Sequence, residues 1–329
     1  MSTVPMSRCL PTAMATGRVD GVSASVGSPT AVHSVPDRAA PPLAASVWCP
    51  RPCGCDDLHR PCRRPEESAM ATGAELDDCR RVAEEAARLG GRELLRRFGD
   101  HGRVDYKTAP TDLVSEADRA SETRIVELLR ARRPGDGILA EEGSDHVGDS
   151  GLRWVLDPLD GTVNYVSGIP FWCVSVACEQ QTPDGWRPVV GVVHDPVHDE
   201  TFCGVRGGGA MLNGTPLTRR ADIPLGEVVL AAGYAYDVAH RRVQAAVVTD
   251  LAGDVRGVRM LGSTALALAW IAAGRCDAYV EDRTFRWDWA AGQVIAVEAG
   301  VAVEVSGSRV LAAPPELIDG LRPRVAALG

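Results

Sequence analysis

The chain has 329 residues, a hydrophobic content of 45% and a formal net charge of −9. This length allows one large domain or two medium ones, and the hydrophobic content is sufficient for a buried core. No apolar run approaches the ~20 residues that a membrane helix requires. The negative charge argues against nucleic acid or an anionic membrane as the main partner. An acidic protein that handles an anionic substrate needs a compensating charge, which divalent metal ions would supply.

Nine of the ten cysteines, all except Cys9, fall into two groups. One group lies singly among apolar or helical residues, which is typical of small core side chains in a reducing compartment. Its members are Cys79, Cys173, Cys178, Cys203 and Cys276. The other group, at residues 49–62, lies in a run rich in proline and arginine, where its spacing fits a zinc site poorly. We therefore expect a cytoplasmic protein.

Residues 1–69 differ from the rest of the chain in composition. They are rich in serine, proline, alanine, valine and threonine and show no sustained hydrophobic period. We interpret them as a disordered extension, or as a consequence of a start codon placed too early, because Met70 opens a segment of different character.

Two amphipathic helices and a short strand are predicted next. Apolar residues recur at helical spacing over 75–98, with a possible weak point at Gly90-Gly91. A second helix is predicted from Ser115 to about residue 132, and Ser115-x-x-Asp118 resembles a capping box. A short apolar strand, residues 138–140, then ends in the adjacent carboxylates Glu141 and Glu142.

The most informative stretch is residues 154–165. Trp154 to Leu156 form a short apolar run that predicts a buried strand, and we expect it to end at Asp157-Pro158, because proline cannot continue a ladder. Asp160 follows, and Gly161-Thr162 marks the probable start of a helix. An ordinary turn would explain these residues one by one. Together they offer carboxylates for a hard cation and backbone N–H groups for a phosphate.

The remainder of the chain alternates strands and helices. Strands are predicted at 171–179, 188–194, 200–205, 228–232, 258–261, 278–281 and 301–305. Helices are predicted through Val243 to Leu251, over 264–273 and over 287–299, and Asn213-Gly214 has hairpin chemistry. His194 and His198 are interpreted as loop histidines, because Pro196 prevents a helix between them. This alternation predicts a layered α/β fold.

Four carboxylates share one structural context. Glu141, Asp157, Asp160 and Asp288 each lie at the end of a predicted strand or the start of a predicted helix. Open α/β sheets place ligand sites at such ends. No histidine or cysteine joins them at ligand spacing, which favours an all-oxygen site for Mg²⁺ over a zinc site.

Several motifs, in this order, resemble the inositol monophosphatase family of Mg²⁺-dependent, lithium-sensitive phosphatases. They are Lys107-x4-Asp112-Leu113-Val114-x3-Asp118, Glu141-Glu142, Asp157-Pro158-Leu159-Asp160-Gly161-Thr162-x-Asn164-Tyr165, the 207–214 turn, Gly262-Ser263, and Trp287-Asp288-x-Ala290-Ala291-Gly292. The resemblance covers residues 72–325 and implies an αβαβα layered sandwich like that of fructose-1,6-bisphosphatase. It divides the chain into an α+β half at 70–224 and an α/β half at 225–329 that completes the site.

The resemblance also implies roles for the matching positions. Two or three Mg²⁺ ions would be bound by Glu141, Asp157, the Leu159 carbonyl, Asp160 and Asp288, with Asp157 bridging two of them. Catalytic roles would fall to Glu141, Lys107, Asp118 and Thr162, the last two orienting the attacking water. Substrate contacts would come from Gly161, Thr162, Ser263, Glu281 and Asp288. Lys107 is the single lysine in the chain. A homodimer is also implied.

The implied activity is hydrolysis of a small polyol phosphate, with inositol 1-phosphate as the first candidate. Histidinol phosphate and 3′(2′),5′-bisphosphate nucleotides are alternative substrates, since substrate choice depends on a few loop residues. A non-catalytic regulatory module that binds metal and phosphate is an alternative of another class. One departure from the family pattern is Val301, which stands where a second glycine is usual and could alter the turn after Gly300.

Overall fold

Helices and two β-sheets alternate in the computed structural model, which describes residues 71–100, 104–106 and 113–328. The helices are α1 (Gly73–Arg97), α2 (Glu116–Arg132), α3 (Thr162–Val166), α4 (Val238–Ala252), α5 (Thr264–Ala272), α6 (Arg286–Glu298) and α7 (Pro315–Leu321). The first strands are β1 (Val104–Tyr106), β2 (Leu113–Ser115), β3 (Gly137–Ala140), β4 (Leu152–Asp160), β5 (Cys173–Thr182), β6 (Gly185–Asp195), β7 (Glu200–Val205), β8 (Gly209–Leu212) and β9 (Thr215–Pro216). The later strands are β10 (Val229–Ala232), β11 (Gly257–Met260), β12 (Ala278–Glu281), β13 (Ala302–Ser306) and β14 (Arg309–Ala313). The extension at 1–69 and Lys107 lie outside the described residues.

The two large sheets differ in strand direction. The seven-stranded sheet has the order β3-β4-β5-β6-β7-β8-β9 and is antiparallel except for the parallel pair β3 and β4. The five-stranded sheet has the order β11-β10-β12-β14-β13, in which β11, β10 and β12 run parallel. The carboxyl ends of β10 and β12 therefore meet at one edge of the second sheet.

Three hydrophobic clusters define the layers. One packs α1 and α2 against the seven-stranded sheet, with Leu94 and Leu129 fully buried. A second fills the space between the two sheets with α5 and α6, and a third packs α4 and α7 on the outer face of the five-stranded sheet. The order helix, sheet, helix, sheet, helix confirms the predicted αβαβα fold. The division into halves at 224/225 stays a prediction.

Helix α1 continues through the predicted weak point. Gly90 and Gly91 are buried in the helix, and a Cβ on Gly90 would lie 2.7 Å from Ile125 Cδ1 of α2. A Cβ on Gly91 would lie 2.7 Å from His194 Cδ2. The glycines therefore allow α1 to approach α2 and β6 closely, and the prediction of a weak point was wrong.

Strand β4 also continues further than predicted. It extends through Asp157-Pro158 to Asp160, with an irregular register against β5 between Asp157 and Asp160. Proline removes one N–H group, and the ladder accommodates the loss with a bulge. The expected stop at Asp157 was therefore wrong, and the bulge lies at the candidate site.

The structure also differs from the predictions at His194 and at two elements near the carboxyl end of the chain. His194 belongs to β6 and is only 5% exposed, so its interpretation as a loop histidine was wrong, whereas His198 lies in the following turn. β14 and α7 were not predicted. Val301 is buried between the sheets and Gly300 alone carries the positive φ of 89°, so the turn accepts valine. Within the described residues, no helix is both long and apolar enough to span a membrane.

Candidate active site

The first turn of α2 places Asp118 at the site. Asp118 is fully buried, and its Oδ2 accepts hydrogen bonds from the backbone N–H of Ser115 (2.9 Å) and from the Ser115 hydroxyl. The predicted capping box is therefore confirmed. Its other oxygen, Oδ1, accepts from Thr162 Oγ1 at 3.0 Å. Asp118 thus caps α2 and also contacts the β4–α3 turn, so the structural and functional interpretations are compatible.

The turn after β3 carries Glu141 and is held by Glu122 of α2. Glu122 is 2% exposed, and its carboxylate accepts from Glu142 N (2.8 Å), Ser144 N (3.2 Å) and Ser144 Oγ (2.6 Å). Glu141 N donates to Leu156 O at 3.2 Å, which joins the turn to β4. A buried carboxylate with three donors fixes this turn, so Glu122 positions Glu141 without being part of any predicted motif.

The bulge in β4 brings two further acids to the site. Asp157 is 2% exposed, and its Oδ1 accepts from Leu159 N at 2.9 Å, which closes a tight turn around Pro158. The Pro158 carbonyl accepts from Ser121 Oγ of α2 at 3.0 Å. These bonds hold the irregular stretch from Asp157 to Asp160 in a turn that contacts α2.

Gly161 and Thr162 open the short helix α3. Gly161 has a φ of 103°, a conformation that favours glycine, and a Cβ there would lie 3.1 Å from the Trp172 Cβ. Among the described residues, no acceptor pairs with the backbone N–H groups of Gly161 and Thr162. Thr162 Oγ1 can donate to Asp118 Oδ1 (3.0 Å) or to Leu159 O (3.1 Å), but it has one hydrogen to give.

Two residues of α3 fix its position. Tyr165 OH donates to Leu94 O of α1 at 2.7 Å, and its ring packs against Phe98 and Trp172 with centroids 5.3 Å and 5.0 Å away. Asn164 Nδ2 donates to Phe171 O and to Leu261 O, both at 2.8 Å. Asn164 therefore ties the β4–α3 turn of the first sheet to the chain that enters α5.

The start of α5 is bonded directly to Asp160. Asp160 Oδ2 accepts from Ser263 Oγ (2.7 Å) and from Ala265 N (2.7 Å). Ser263 is 4% exposed and also caps α5 by accepting from Leu266 N. Because the Ser263 hydroxyl already has these partners, its predicted contact with substrate stays a prediction.

Glu281, at the end of β12, lies in a polar pocket between α5 and β10. Its Oε2 accepts from Thr264 Oγ1 at 3.0 Å and from Tyr279 OH. A Cβ on Gly233 would overlap the Glu281 carboxylate, so a side chain there would displace that carboxylate. Asp288 begins α6, where its Oδ2 accepts from Phe285 N at 2.6 Å.

The acids raise one another's pKa. Burial, then Glu141 and Asp160, raise the pKa of Asp157 well above its usual range. Burial raises the pKa of Asp160 to about 7, against the opposing effect of its Ser263 bond. Burial, then Asp160 and Glu141, raise the pKa of Asp288 well above normal. Glu141, Asp160 and Asp288 all raise the pKa of Asp157, so the four carboxylates repel one another electrostatically.

The donor chemistry of this cluster fits a hard divalent cation. All its side-chain donors are oxygens, and within residues 71–100, 104–106 and 113–328 no arginine or histidine forms an ion pair with Asp157, Asp160 or Asp288. In the same part of the chain, however, no three His, Cys, Asp or Glu side chains converge as closely as a bound ion would hold them. Asp160 and Asp288 instead hydrogen-bond to neighbouring helix starts.

Several positioning residues were missed by the sequence analysis. They are Glu122, Asn164, Thr264, Ala265 and Tyr279. Among the predicted groups, hydrogen bonds join Thr162 to Asp118 and to the Leu159 carbonyl, and Ser263 to Asp160, and the assigned roles of all ten stay predictions. Glu122 lies four residues after Asp118, on the same face of α2. That spacing was the one available signal, and it is common in any amphipathic helix.

Comparison with known proteins places the site in a family. The family model described as "Inositol monophosphatase family" matches residues 75–326 of this chain. That span includes every described site residue named above. The chain belongs to the inositol monophosphatase family. Members of this family are phosphatases, so the protein is a phosphoric monoester hydrolase, and its substrate is a small phosphorylated molecule.

Individual relatives agree with this placement. An inositol-1-monophosphatase of Mesorhizobium japonicum is 40% identical over 222 residues, which are 67% of this chain and 82% of that protein. A protein of Pasteurella multocida named "Nus factor SuhB" is 37% identical over 74% of this chain and 95% of its own length. The structure of the extragenic suppressor protein suhB of Bartonella henselae superposes with a TM-score of 0.69 at 35% identity, over 74% of this chain and 97% of that one.

Proposed function

We propose that this inositol monophosphatase family member hydrolyses a small polyol phosphate, with inositol 1-phosphate as the first candidate, in a Mg²⁺-dependent reaction. One observation carries the proposal: mutually repelling carboxylates accompany the N–H groups of Gly161 and Thr162, for which the described part of the chain offers no acceptor. A dianionic phosphate cannot approach such a cluster unless cations neutralise it. The names of relatives, including the inositol-1-monophosphatase of Mesorhizobium japonicum, support inositol phosphate as the substrate.

Glu141, Asp157, the Leu159 carbonyl, Asp160 and Asp288 would hold two or three Mg²⁺ ions. Bound Mg²⁺ would lower the pKa of a coordinated water and neutralise charge on the phosphoryl and leaving oxygens. Asp157 would bridge two of the ions, as the family resemblance implies. Its pKa is raised by burial, then by Glu141 and Asp160.

The protein's own groups would orient the reactants. The Gly161 and Thr162 N–H groups would donate to the phosphoryl oxygens. The Thr162 hydroxyl can give its hydrogen to Asp118 at 3.0 Å, which leaves its lone pair free to accept from the attacking water. Burial raises the pKa of Asp118. The water would then attack phosphorus in line with the leaving alkoxide, without a covalent phosphoenzyme. The catalytic role of Lys107 is proposed from the family resemblance alone.

Phosphate release from inositol 1-phosphate, histidinol phosphate and 3′-phosphoadenosine 5′-phosphate, with and without Mg²⁺, tests this proposal. Fastest Mg²⁺-dependent turnover of inositol 1-phosphate is the expected result. Preference for another ester would reassign the substrate, and turnover of none would favour the non-catalytic regulatory alternative. Trapping of a phosphorylated protein would contradict the direct attack by water. A homodimer is expected from the family resemblance and is tested by light scattering after size-exclusion chromatography.

A further inference from the structure

An exposed aromatic residue lies three positions before Asp288 in the chain. Phe285 is 60% exposed, although phenylalanine is usually buried. Its backbone N–H donates to Asp288 Oδ2 at 2.6 Å. The ring is therefore held within one helical turn of a proposed metal ligand, on the side where β12 ends. A solvent-exposed apolar ring at the edge of an otherwise charged site suggests contact with a ligand.

The ring is held in place from one side. Trp287 stacks on Phe285 with centroids 5.1 Å apart and ring planes at 17°. Trp287 is itself half-buried, and its carbonyl accepts from Ser175 Oγ of β5 at 3.2 Å. One face of Phe285 is therefore covered by a fixed indole, and its exposed area is left for another planar or apolar surface.

The adjacent loop adds a second exposed aromatic residue. Tyr234, which is 38% exposed, follows β10, and Phe285 follows the neighbouring parallel strand β12. Gln244 of α4 joins the two loops, because its Oε1 accepts from Ala235 N (2.8 Å) and its Nε2 donates to Asp282 Oδ1 (2.5 Å). The two loops that Gln244 joins thus each carry an exposed aromatic residue, and one of them follows β12, which ends at Glu281.

We infer that Phe285 is a specificity residue that stacks on a ring of the leaving alcohol. A ring-bearing alcohol, such as a cyclic polyol, presents both hydroxyls for Glu281 and a C–H face for the phenyl ring. An open-chain polyol has the hydroxyls but no such face. The inference deepens the proposed function and rests on it, because it concerns the alcohol side of the same phosphate ester.

The test compares inositol 1-phosphate with glycerol 1-phosphate as substrates of the Mg²⁺-loaded enzyme. Phe285→Ala should lower kcat/KM for the cyclic ester about three- to tenfold, from the loss of on the order of 50 Å² of apolar contact. The loss should lie in KM, because stacking binds ground state and transition state alike. The open-chain ester should be unaffected. Phe285→Tyr should restore activity, and Val297→Ala, an exposed apolar change at the far end of α6, should change nothing.

Two results would overturn the inference. Equal losses of kcat/KM for both esters would mean that Phe285 acts by placing Asp288. Unchanged kinetics with both esters would mean that the Phe285 ring does not contact the substrate. If wild-type protein hydrolyses neither ester, the proposed function fails by itself. Calorimetric binding of inositol 1-phosphate in Mg²⁺ then decides the stacking, since only a weaker affinity of Phe285→Ala than of wild type supports it.

Discussion

Replacing Glu122 with glutamine should weaken Mg²⁺ binding although Glu122 is not a proposed ligand. Glu122 accepts three hydrogen bonds from the turn that carries Glu141. Glutamine fills the same volume but presents an NH₂ group to one set of these donors. If the amide nitrogen faces Glu142 N, one charge-assisted bond is lost and two donors oppose each other, which costs about 1–3 kcal/mol.

The lost free energy should lower both the stability of the fold and the affinity of the site for Mg²⁺. A loosened turn no longer fixes the position of Glu141. Mutation of residues that orient metal ligands typically weakens metal binding by about 10- to 100-fold. Calorimetric titration of Mg²⁺ and the Mg²⁺ dependence of phosphate release measure the Mg²⁺ affinity of the site. Urea titration in the presence of a chelator measures the free energy of unfolding of the metal-free protein. The matched control is Glu127→Gln, an exposed change on the same helix, which should affect neither measurement.

Unchanged Mg²⁺ affinity in Glu122→Gln would refute the positioning argument. A purely structural role predicts lower stability at wild-type Mg²⁺ affinity, because the intact turn would then still present Glu141. Hydrogen exchange of the Glu142 and Ser144 amides checks the premise directly, since both should exchange faster in the variant.

Four further predictions follow from the same geometry. Asp157→Asn should lower turnover by at least about a hundredfold, whereas in chelator its melting temperature should equal or exceed that of wild type, because one repelling charge is gone; a melting temperature well below wild type would contradict this. Millimolar Li⁺ should inhibit by displacing a weakly held ion, and an unchanged phosphate-release rate would count against the metal assignment. Gly161→Ala should destabilise by about 1–2 kcal/mol in urea titrations, because φ is 103° and Trp172 is close. Burial, then Arg88, lowers the pKa of His194 to about 4, so its contribution to stability is present above 6.5 and is lost as pH falls toward 4. His194→Gln should reduce that loss of unfolding free energy by up to about 3 kcal/mol, and an equal loss in both proteins would disprove it.

The sequence predicted the fold well where a local signal existed. Hydrophobic period marked α1 and α2, and Ser115 with Asp118 marked the start of α2 by a capping box that the structure contains. The carboxylates of the site were predicted because each follows a strand or begins a helix. These signals are local in the chain, so they could be read without knowing which elements pack together.

What the sequence could not predict depends on contacts between distant segments. Gly90-Gly91 suggested a weak helix, but close packing against α2 and β6 makes small residues necessary there. Asp157-Pro158 suggested a strand end, but the bulge is held by Ser121 from α2. Glu122 belongs to no motif, and the motif that contains Asn164 does not reveal its contacts, because these two residues bond to residues 20 and 97 positions away.

The bonds of Asp160 have a consequence for the order in which the protein can be completed. Its donors, Ser263 and Ala265, lie 103 and 105 residues further along the chain. During synthesis, the bulge that carries Asp157 and Asp160 therefore leaves the ribosome long before the groups that stabilise Asp160 exist. The first sheet can form early, but its acidic edge must stay hydrated until α5 arrives. Contacts between segments so far apart in the chain predict that the last folding step is slow. The amides of the active site should be the last to become protected from hydrogen exchange.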